Sequence, residues 1–435
     1  MIRLASRTNA LILVAGLALL SLLLAACVAA DRPSLVGIAE ARSDAQRVTE
    51  PDVAEDDLDS LVDGNTDFAF DLYQVLRAND GNLVYSPHSI SVALAMTYAG
   101  ARGDTEQEMA EALSFLLGQE RLHPAFNALD LALNAPPREG FATGGDPLEL
   151  SIANSLWGQQ GFEYLAPFLD TLAQHYGAGM RLVDYQRDPE AARQLINAWV
   201  ADQTNDRIPE LFQQGIIDGS TRLVLTNAVF FKASWLFPFD PADTAPGDFH
   251  LLDGSTVQAE MMRLSERTLY GTAAGAQAVR LPYVGLNYSA FVILPDEGEF
   301  EAFEERLSAE TLGSIIDGLG DAQVTLTMPK FEFESSFRLK DALTALGMPS
   351  AFDGRADFSG MDGRRDLVIQ DVVHKAFISV DEEGTEAAAA TGVAVGDVSL
   401  PPSVEMVVDR SFLFLVRHEE TGAILFVARV MDPTA

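Results

Sequence analysis

The chain has 435 residues, is 48% hydrophobic, and carries 29 basic against 64 acidic side chains, a formal net charge of −35. Its length and apolar content suffice for a large core, in one large domain or two ordinary ones. The charge argues against nucleic acid as a partner, because an acidic surface repels phosphate groups. No basic cluster offers a site for a glycosaminoglycan.

The N-terminal residues have the pattern of a secretory signal. Arg3 and Arg7 precede an apolar run over 11–24, which is followed by Ala25, Ala26 and Cys27. The sequence Leu-Ala-Ala-Cys resembles the box of bacterial lipoproteins, so we predict a signal peptide over 1–26 and lipidation of Cys27. The expected location is extracytoplasmic, as a cell-envelope lipoprotein or a secreted protein. The alternative is an uncleaved membrane helix, since 8–30 is uncharged.

Residues 27–60 are polar and acidic, with the sequence TEPDVAEDDLDS at their end. Low hydrophobicity and high charge predict a disordered acidic tether over 27–60 and a folded domain over 61–435. Since Cys27 is the only cysteine, the folded domain has no intrachain disulfide.

Helical patterns dominate the first part of the domain. Apolar residues recur at helical spacing near 68–76. The sequence NLVYSPHSISVALAMTY predicts a short strand leading into a helix, with Ser86 as N-cap and Pro87 in the first turn. Thr105 and Glu108 form a predicted capping box for the next helix.

Strand patterns dominate the second part. The sequence LELSIANSLWGQ alternates, and TRLVLTNAVFFKASW is apolar almost throughout, as in a strand covered on both faces. Between the two lie a helix ending in HYGAG and a second helix, DPEAARQLINAWVADQ. Further strands follow, with helical patches near 299–318 and 338–347. Helices first and strands later predict one large α+β domain.

Sequence signatures of catalysis are absent. The chain has no G-x-S-x-G elbow, no H-E-x-x-H motif and no P-loop, and its six histidines are scattered. An enzyme is therefore the weaker hypothesis at this point.

Residues 382–402, EEGTEAAAATGVAVGDVSLPP, stand between two strand regions although four successive alanines favour helix. Alternate positions from Thr385 to Val395 are small or β-branched and uncharged, as in a strand that enters a sheet. A flexible linker is the alternative, but it does not account for the uncharged alternate face.

Several segments together resemble the serpin family, in family order over about 65–433. They are NLVYSPHSISVALAMTYAGARGDTEQEM, TNAVFFKASWLFPFDP, MPKFEFES, HKAFISVDEEGTEAAAAT and LFVARVMDP. The resemblance implies a serpin domain over 61–435 with three β-sheets, about nine helices and an exposed reactive loop. It implies an inhibitor that is cleaved by its target and then inserts the loop into its main sheet. Such an inhibitor is not an enzyme, and we expect it to need neither cofactor nor metal.

The resemblance also assigns residues. The reactive bond is Val398–Ser399, to within about a residue. The loop hinge comprises Glu382, Glu383, Gly384, Thr385, Glu386, Ala387, Ala388, Ala389 and Ala390. Residues with a mechanical role in opening the sheet are Ser86, Ser89, Asn154, Asn227, Lys232, Trp235 and His374. Their alternative role is core packing and capping.

A valine before the cut suits a shallow apolar pocket, so elastase-like or subtilisin-like serine proteases are the expected targets, trapped as a covalent complex with a monomeric inhibitor. A cysteine protease is a second class of target. A serpin-fold binding protein without inhibitory activity is the alternative function, and an unrelated surface hydrolase is a third class.

Overall fold

The computed structural model describes residues 33, 35, 37–137, 149–385 and 402–435. Within them lie ten α-helices and sixteen β-strands. The helices are α1 (Glu55–Leu76), α2 (Pro87–Tyr98), α3 (Gly103–Ala112), α4 (Gln119–Leu133), α5 (Ala166–Tyr176), α6 (Pro189–Gln203), α7 (Phe300–Glu305), α8 (Ala309–Asp317), α9 (Lys340–Ala345) and α10 (Ser359–Asp362).

The strands are β1 (Ala39–Ala41), β2 (Leu83–Tyr85), β3 (Glu149–Gln159), β4 (Met180–Val183), β5 (Leu223–Ser234), β6 (Ala245–His250), β7 (Thr256–Ala273), β8 (Ala276–Pro282), β9 (Tyr288–Pro295), β10 (Gly320–Pro329), β11 (Phe331–Arg338), β12 (Asp371–Val380), β13 (Gly384–Thr385), β14 (Ser403–Val407), β15 (Phe412–His418) and β16 (Ile424–Val430). Six of the ten described helices end by residue 203 and twelve of the sixteen described strands follow it, so the predicted α+β class is confirmed.

The strand-to-helix unit of β2 and α2 forms as its sequence predicts. Ser86 has extended backbone angles, and its hydroxyl accepts a hydrogen bond from the backbone N–H of Ser89. Pro87 occupies the first helical position, where its missing N–H costs nothing. The N-cap prediction is confirmed, and it fixes where α2 begins beneath the sheet.

The predicted capping box of α3 is wrong. The helix begins at Gly103, two residues before Thr105, and its N-cap residue Arg102 makes no side-chain cap. Thr105 instead accepts a hydrogen bond from the backbone N–H of Asp357, and Glu108 accepts one from the N–H of Ser350. Both side chains therefore connect α3 to a distant part of the chain.

The predicted disordered tether over 27–60 is wrong for residues 37–60. The acidic run Glu55, Asp56 and Asp57 is the first turn of α1, where the positive end of the helix dipole favours acidic side chains. Upstream, β1 pairs with β4 and adds a strand to the edge of a sheet. Composition alone suggested disorder because these polar groups find their partners far away in sequence.

Arg47 fastens this N-terminal segment (residues 37–54) to the body. Its Nε and one terminal nitrogen donate to Asn127 Oδ1 at 3.0 and 2.9 Å, and it also pairs with Asp130. The backbone N–H of Val48 donates to the carbonyl of Gln174 at 2.9 Å. The segment thus connects α4 with α5.

The predicted signal peptide over 1–26 and Cys27 lie outside the described residues. Among the helices that the structure does describe, none combines the length and the apolar character that crossing a bilayer requires.

A seven-stranded sheet carries the features of interest, and we call it the central sheet. Its strand order is β1-β4-β3-β5-β13-β12-β11. β5 runs antiparallel to β3 and parallel to β12. β13 enters between β5 and β12 at one end, so the middle of the sheet contains a junction of three strands.

The remaining described strands form one hydrogen-bonded sheet of nine. Two of the three expected sheets are continuous here, because β7 pairs with β6 in its first part and with β8 in its last residues. Eighteen residues are long enough for one strand to belong to both. β14, directly after residues 386–401, pairs in parallel with β10.

Both faces of the central sheet are buried. The main core fills the space on the face toward α2 and includes Leu225, Val229 and Phe231 of β5. A second core on the opposite face packs Ala228 of β5 against α6, whose Trp199 contributes. Because successive residues of a strand point to opposite faces, the near-continuous apolar sequence of β5 follows from this double burial.

The N-terminal segment gives the first testable prediction. Arg47→Ala removes charge-assisted hydrogen bonds to Asn127 and Asp130, so we expect a loss of about 1–2 kcal/mol in the free energy of unfolding. Arg42→Ala, at a more exposed arginine, is the control and should cost under about 0.5 kcal/mol. Urea unfolding followed by circular dichroism measures both. Equal stabilities of the two variants would mean that the segment is not fastened at Arg47.

Candidate functional site at the strand junction of the central sheet

The pairing of β5 with β12 ends in mid-strand. The two strands pair in register from Val224 opposite Asp371 up to Val229 opposite Ala376. Beyond that rung no pairing joins β5 to β12 among the described residues. At the far end β13 lies between them, with Thr385 opposite Ala233 of β5 and Val380 of β12. We call the point where the two strands part the fork.

A row of polar side chains crosses the sheet just below the fork. Asn154 of β3, Asn227 of β5 and His374 of β12 occupy one rung, each directly opposite its neighbour. Asn227 and His374 are completely buried. Three adjacent strands therefore each place a polar group at the same level, on the face toward α2.

The start of α2 completes this polar cluster. Asn227 Nδ2 donates to Ser89 Oγ and to Asn154 Oδ1, both at 2.9 Å. Asn154 Nδ2 donates to the Ser89 carbonyl at 3.0 Å. The Ser86 backbone N–H donates to His374 Nε2 at 3.1 Å. The structure thus brings together five of the seven residues to which the family resemblance assigns a role in opening the sheet: Ser86, Ser89, Asn154, Asn227 and His374.

The hydrogen bonds define the protonation state of His374. Since Nε2 accepts from Ser86, Nδ1 carries the proton and donates to Asn227 Oδ1. Burial lowers the pKa of His374 to about 3, while hydrogen bonding with the backbone of Asn227 acts in the other direction. A proton added at Nε2 would face the Ser86 N–H, so the cluster holds only while His374 is neutral.

Trp235 holds the backbone of the hinge at the other end of the junction. Its indole Nε1 donates to the Asp381 carbonyl at 3.0 Å, and its backbone N–H donates to the Glu383 carbonyl at 2.9 Å. The indole stacks on the ring of Tyr283, with centroids 4.5 Å apart. Tyr283 in turn shares a 2.7 Å hydrogen bond with the hydroxyl of Thr385, which is buried.

Glu382 is clamped by two partners that sequence reasoning did not assign. Lys330 Nζ lies 2.8 Å from Glu382 Oε2, and Thr244 Oγ1 donates to Oε1 at 2.8 Å. Burial acts to raise the pKa of the Glu382 carboxyl, but the hydrogen bonds from Lys330 and Thr244 lower it on balance. Lys330 is one of only four lysines in the chain and lies within the segment MPKFEFES. Its rarity is the one sequence feature that singles it out as a partner for an acidic side chain.

Gly384 allows the hinge to lie against β5. A Cβ atom at this position would come within 2.1 Å of the Ala233 carbonyl oxygen, well inside van der Waals contact with backbone. Any side chain here must therefore displace β13. Glycine at this point lets the backbone of β13 lie close to that of β5 within the central sheet.

The other predicted residues divide into two groups. Lys232 lies on β5 beyond the fork, directly before Ala233, with its Cα opposite that of Glu149 of β3. Glu386, the alanines 387–390 and the predicted reactive bond Val398–Ser399 lie outside the described residues.

The side chains of the polar cluster bond to one another. Asn227 and His374 are buried, and Asn154 is partly buried. Within the part of the chain that the structure describes, no three His, Cys, Asp or Glu side chains are placed to hold a metal ion. The hydrogen bonds join β3, β5, β12 and the start of α2 at one spacing of the strands.

The fold and the site together define a class of protein. In this class, strand pairing is interrupted in the middle of the central sheet, and two residues of the chain that follows β12 already lie in the gap. The family model described as "Serpin (serine protease inhibitor)" matches residues 63–433. The chain belongs to the serpin family.

Similar proteins agree with this assignment. The leukocyte elastase inhibitor of Bos taurus is 38% identical over 387 residues, which cover 86% of this chain and all of the relative. The crystal structure of human thyroxine-binding globulin matches with a TM-score of 0.76 and 32% identity, covering 87% of this chain and all of the other. The thermophilic serpin tengpin in its native state matches with a TM-score of 0.76 and 29% identity, covering 89% and 97%.

The polar cluster predicts a dependence of stability on pH. An unfolded histidine has a pKa near 6.5, and folded His374 has one of about 3, so the unfolded chain binds the proton first as the pH falls. The stabilisation by neutral His374 is therefore complete above about pH 6.5 and declines steadily toward pH 3.

His374→Asn cannot titrate, so its thermal midpoint should fall less steeply than that of the wild type between pH 6.5 and 4.5. The difference corresponds to about 1.4 kcal/mol per pH unit. Scanning calorimetry at one fixed scan rate measures it. His88 and His123, also buried with lowered pKa values, remain in both proteins and supply the common slope. Parallel slopes would show that His374 is not held neutral.

Proposed function

We propose that the protein inhibits serine proteases by a suicide-substrate mechanism in which the cleaved loop inserts between β5 and β12. The observation that carries the proposal is the fork itself. β5 and β12 stay paired only up to Val229 and Ala376, and two residues of the returning chain, Gly384 and Thr385, already separate them farther along. The next residues of that chain have the uncharged alternating pattern that an inserted strand needs.

The chemistry requires only the protease's own machinery. The protease serine attacks the carbonyl carbon of Val398, the Val398–Ser399 peptide bond breaks, and Ser399 leaves as a protonated N-terminus. An ester now joins Val398 to the protease. Insertion of the loop from Thr385 onward carries the ester-linked protease along the sheet before water can cleave the ester. The driving force is the native state's lower stability relative to the inserted form.

The target class follows from Val398. A small apolar side chain fits a shallow apolar pocket, whereas a protease with a buried acidic group in that pocket would find no basic partner. Elastase-like and subtilisin-like serine proteases are therefore the proposed targets, and cysteine proteases are the second class. Similarity to leukocyte elastase inhibitors supports the first choice.

The proposal includes a setting for the inhibitor. A lipid anchor on Cys27 would hold a monomeric protein at the outer face of a bacterial membrane, in the extracytoplasmic space. Without the signal peptide the chain keeps 27 basic and 64 acidic side chains, a net charge of −37, which disfavours polyanionic partners.

Covalent trapping is directly testable. The purified protein is mixed with pancreatic-type elastase and with subtilisin, and the products are separated on a denaturing gel and identified by mass spectrometry. A band at the summed mass, with a released peptide starting at Ser399, is the expected result. Cleavage without that band, together with no rise in the thermal midpoint of the cleaved protein, would contradict the proposal.

Insertion can be tested at Thr385, which already lies buried between the strands. Thr385→Arg places a charge where it must enter the sheet, so we expect cleavage without trapping and at least a ten-fold rise in the molar ratio needed for inhibition. Glu386→Arg is the matched control, because the sequence pattern assigns that position to the opposite, outward set. If Thr385→Arg inhibits as well as the control does, loop insertion is not how this protein acts.

A small-molecule binding function is the second candidate, and a specific cavity favours it. A cavity of about 400 Å³ lies between α1, α8 and the β15–β16 hairpin. Its walls include Leu312 and Ile316, and Arg417, whose pKa is lowered by burial, lies at its edge. A similar solved structure is that of thyroxine-binding globulin in complex with thyroxine. A protein with this function alone would show no gain in heat stability after loop cleavage.

A further inference from the structure

The fork has a second face, opposite the polar cluster. The residues directly after Val229 and Ala376 are Phe230 of β5 and Phe377 of β12. By the alternation of strands these two side chains point toward α6, on the same face as Ala228 and Val373 of the second core. They are the first pair of residues at which the two strands are no longer joined.

Arg207 bridges this pair of rings. Its guanidinium carbon lies 5.9 Å from the ring centroid of Phe230 and 5.7 Å from that of Phe377. Both distances are within the range of cation–π attraction. One side chain thus attracts both strands at the level where they separate.

The backbone that places Arg207 is held in an uncommon conformation. Asn205 and Asp206, which follow the end of α6, both have positive φ, 49° and 63°. Two hydrogen bonds fix this turn, from Asp206 N–H to the Ala201 carbonyl and from Arg207 N–H to the Thr204 carbonyl, each at 2.8 Å. Asn and Asp are the residues other than glycine that adopt this left-handed conformation most readily, so the sequence Asn-Asp suits the turn. Here the turn directs the chain from α6 across the fork.

A strand entering the fork changes this geometry. Neighbouring strands lie about 4.8 Å apart, so an added strand moves the two rings apart by about that distance and places its own side chains between them. Arg207 must then release at least one ring. Arg207 can attract both rings only while no strand lies between Phe230 and Phe377.

We propose that Arg207 is a positioning residue that holds the fork closed and thereby limits the rate of loop insertion. A closed fork is one in which no strand lies between Phe230 and Phe377. The inference rests on the proposed inhibitory function and extends it to a residue outside the sheet and outside the loop. Arg207 acts through Phe230 and Phe377 and not on the protease.

The test compares Arg207→Met with the wild-type protein. Methionine keeps much of the apolar stem but has no cation. The uncleaved proteins are held at one temperature below the thermal midpoint, and the fraction that resists concentrated urea on a gel is followed over time as the loop-inserted form. We expect about five-fold faster conversion of Arg207→Met, the size typical of losing two partly exposed cation–π contacts.

Controls separate this role from a general loss of stability or charge. Arg187→Met removes one exposed arginine ahead of α6 and should convert at the wild-type rate. Arg207→Lys keeps the cation and should recover most of the slow conversion. The loop-cleaved forms of the wild type and Arg207→Met should differ less in thermal midpoint than the uncleaved forms do, since Arg207 no longer bridges the two rings once the strand is in place. A residue with a merely structural role would lower the midpoints of both forms.

Phe377 supplies an independent check. In a Phe377→Leu background, Arg207→Met should accelerate conversion by clearly less than five-fold, because one ring has already been removed. Equal rates for the wild type and Arg207→Met overturn the proposal while leaving inhibition intact. If the wild-type protein yields no urea-resistant form even after loop cleavage, the sheet does not accept the loop, and both this proposal and the proposed function fail.

Discussion

The pairing of β5 with β12 over six residues is the constraint on which the rest of the site depends. Two parallel strands that stop pairing in mid-course leave backbone groups on facing edges without a partner from each other. A further strand could satisfy those groups, as the proposed loop insertion requires. Nearby contacts on both faces of the sheet join the two strands at their present spacing.

On the face toward α2 these contacts are polar. The hydrogen-bonded row of Asn154, Asn227 and His374 stands where apolar side chains would otherwise pack. A buried polar network is stable while every member is satisfied and loses much of its strength when one bond breaks. A network of this kind holds one spacing of the strands or fails as a unit, unlike an apolar core, which tolerates small shifts. Its dependence on neutral histidine adds sensitivity to acid.

Sequence reasoning found part of this site and missed part of it. Ser86 was assigned as an N-cap from the order Ser-Pro and the helix pattern that follows, because capping is a local property. Lys330 and Thr244, which clamp Glu382, come from two other parts of the chain, and no local pattern indicates that their side chains converge. The same reason explains the error over residues 37–60, whose partners Asn127 and Gln174 are distant in sequence.

The sequence by itself determined the α+β class, the family through the order of its segments, and the uncharged alternation that suits a strand able to enter a sheet. These are properties of period, composition and local order. Tertiary structure alone decided that Asn154, Asn227 and His374 share one rung, that two expected sheets merge through β7, and that Arg207 lies over Phe230 and Phe377. Register and convergence depend on how distant strands pair, and a side chain's partner across a sheet is set by that pairing and not by its neighbours in sequence.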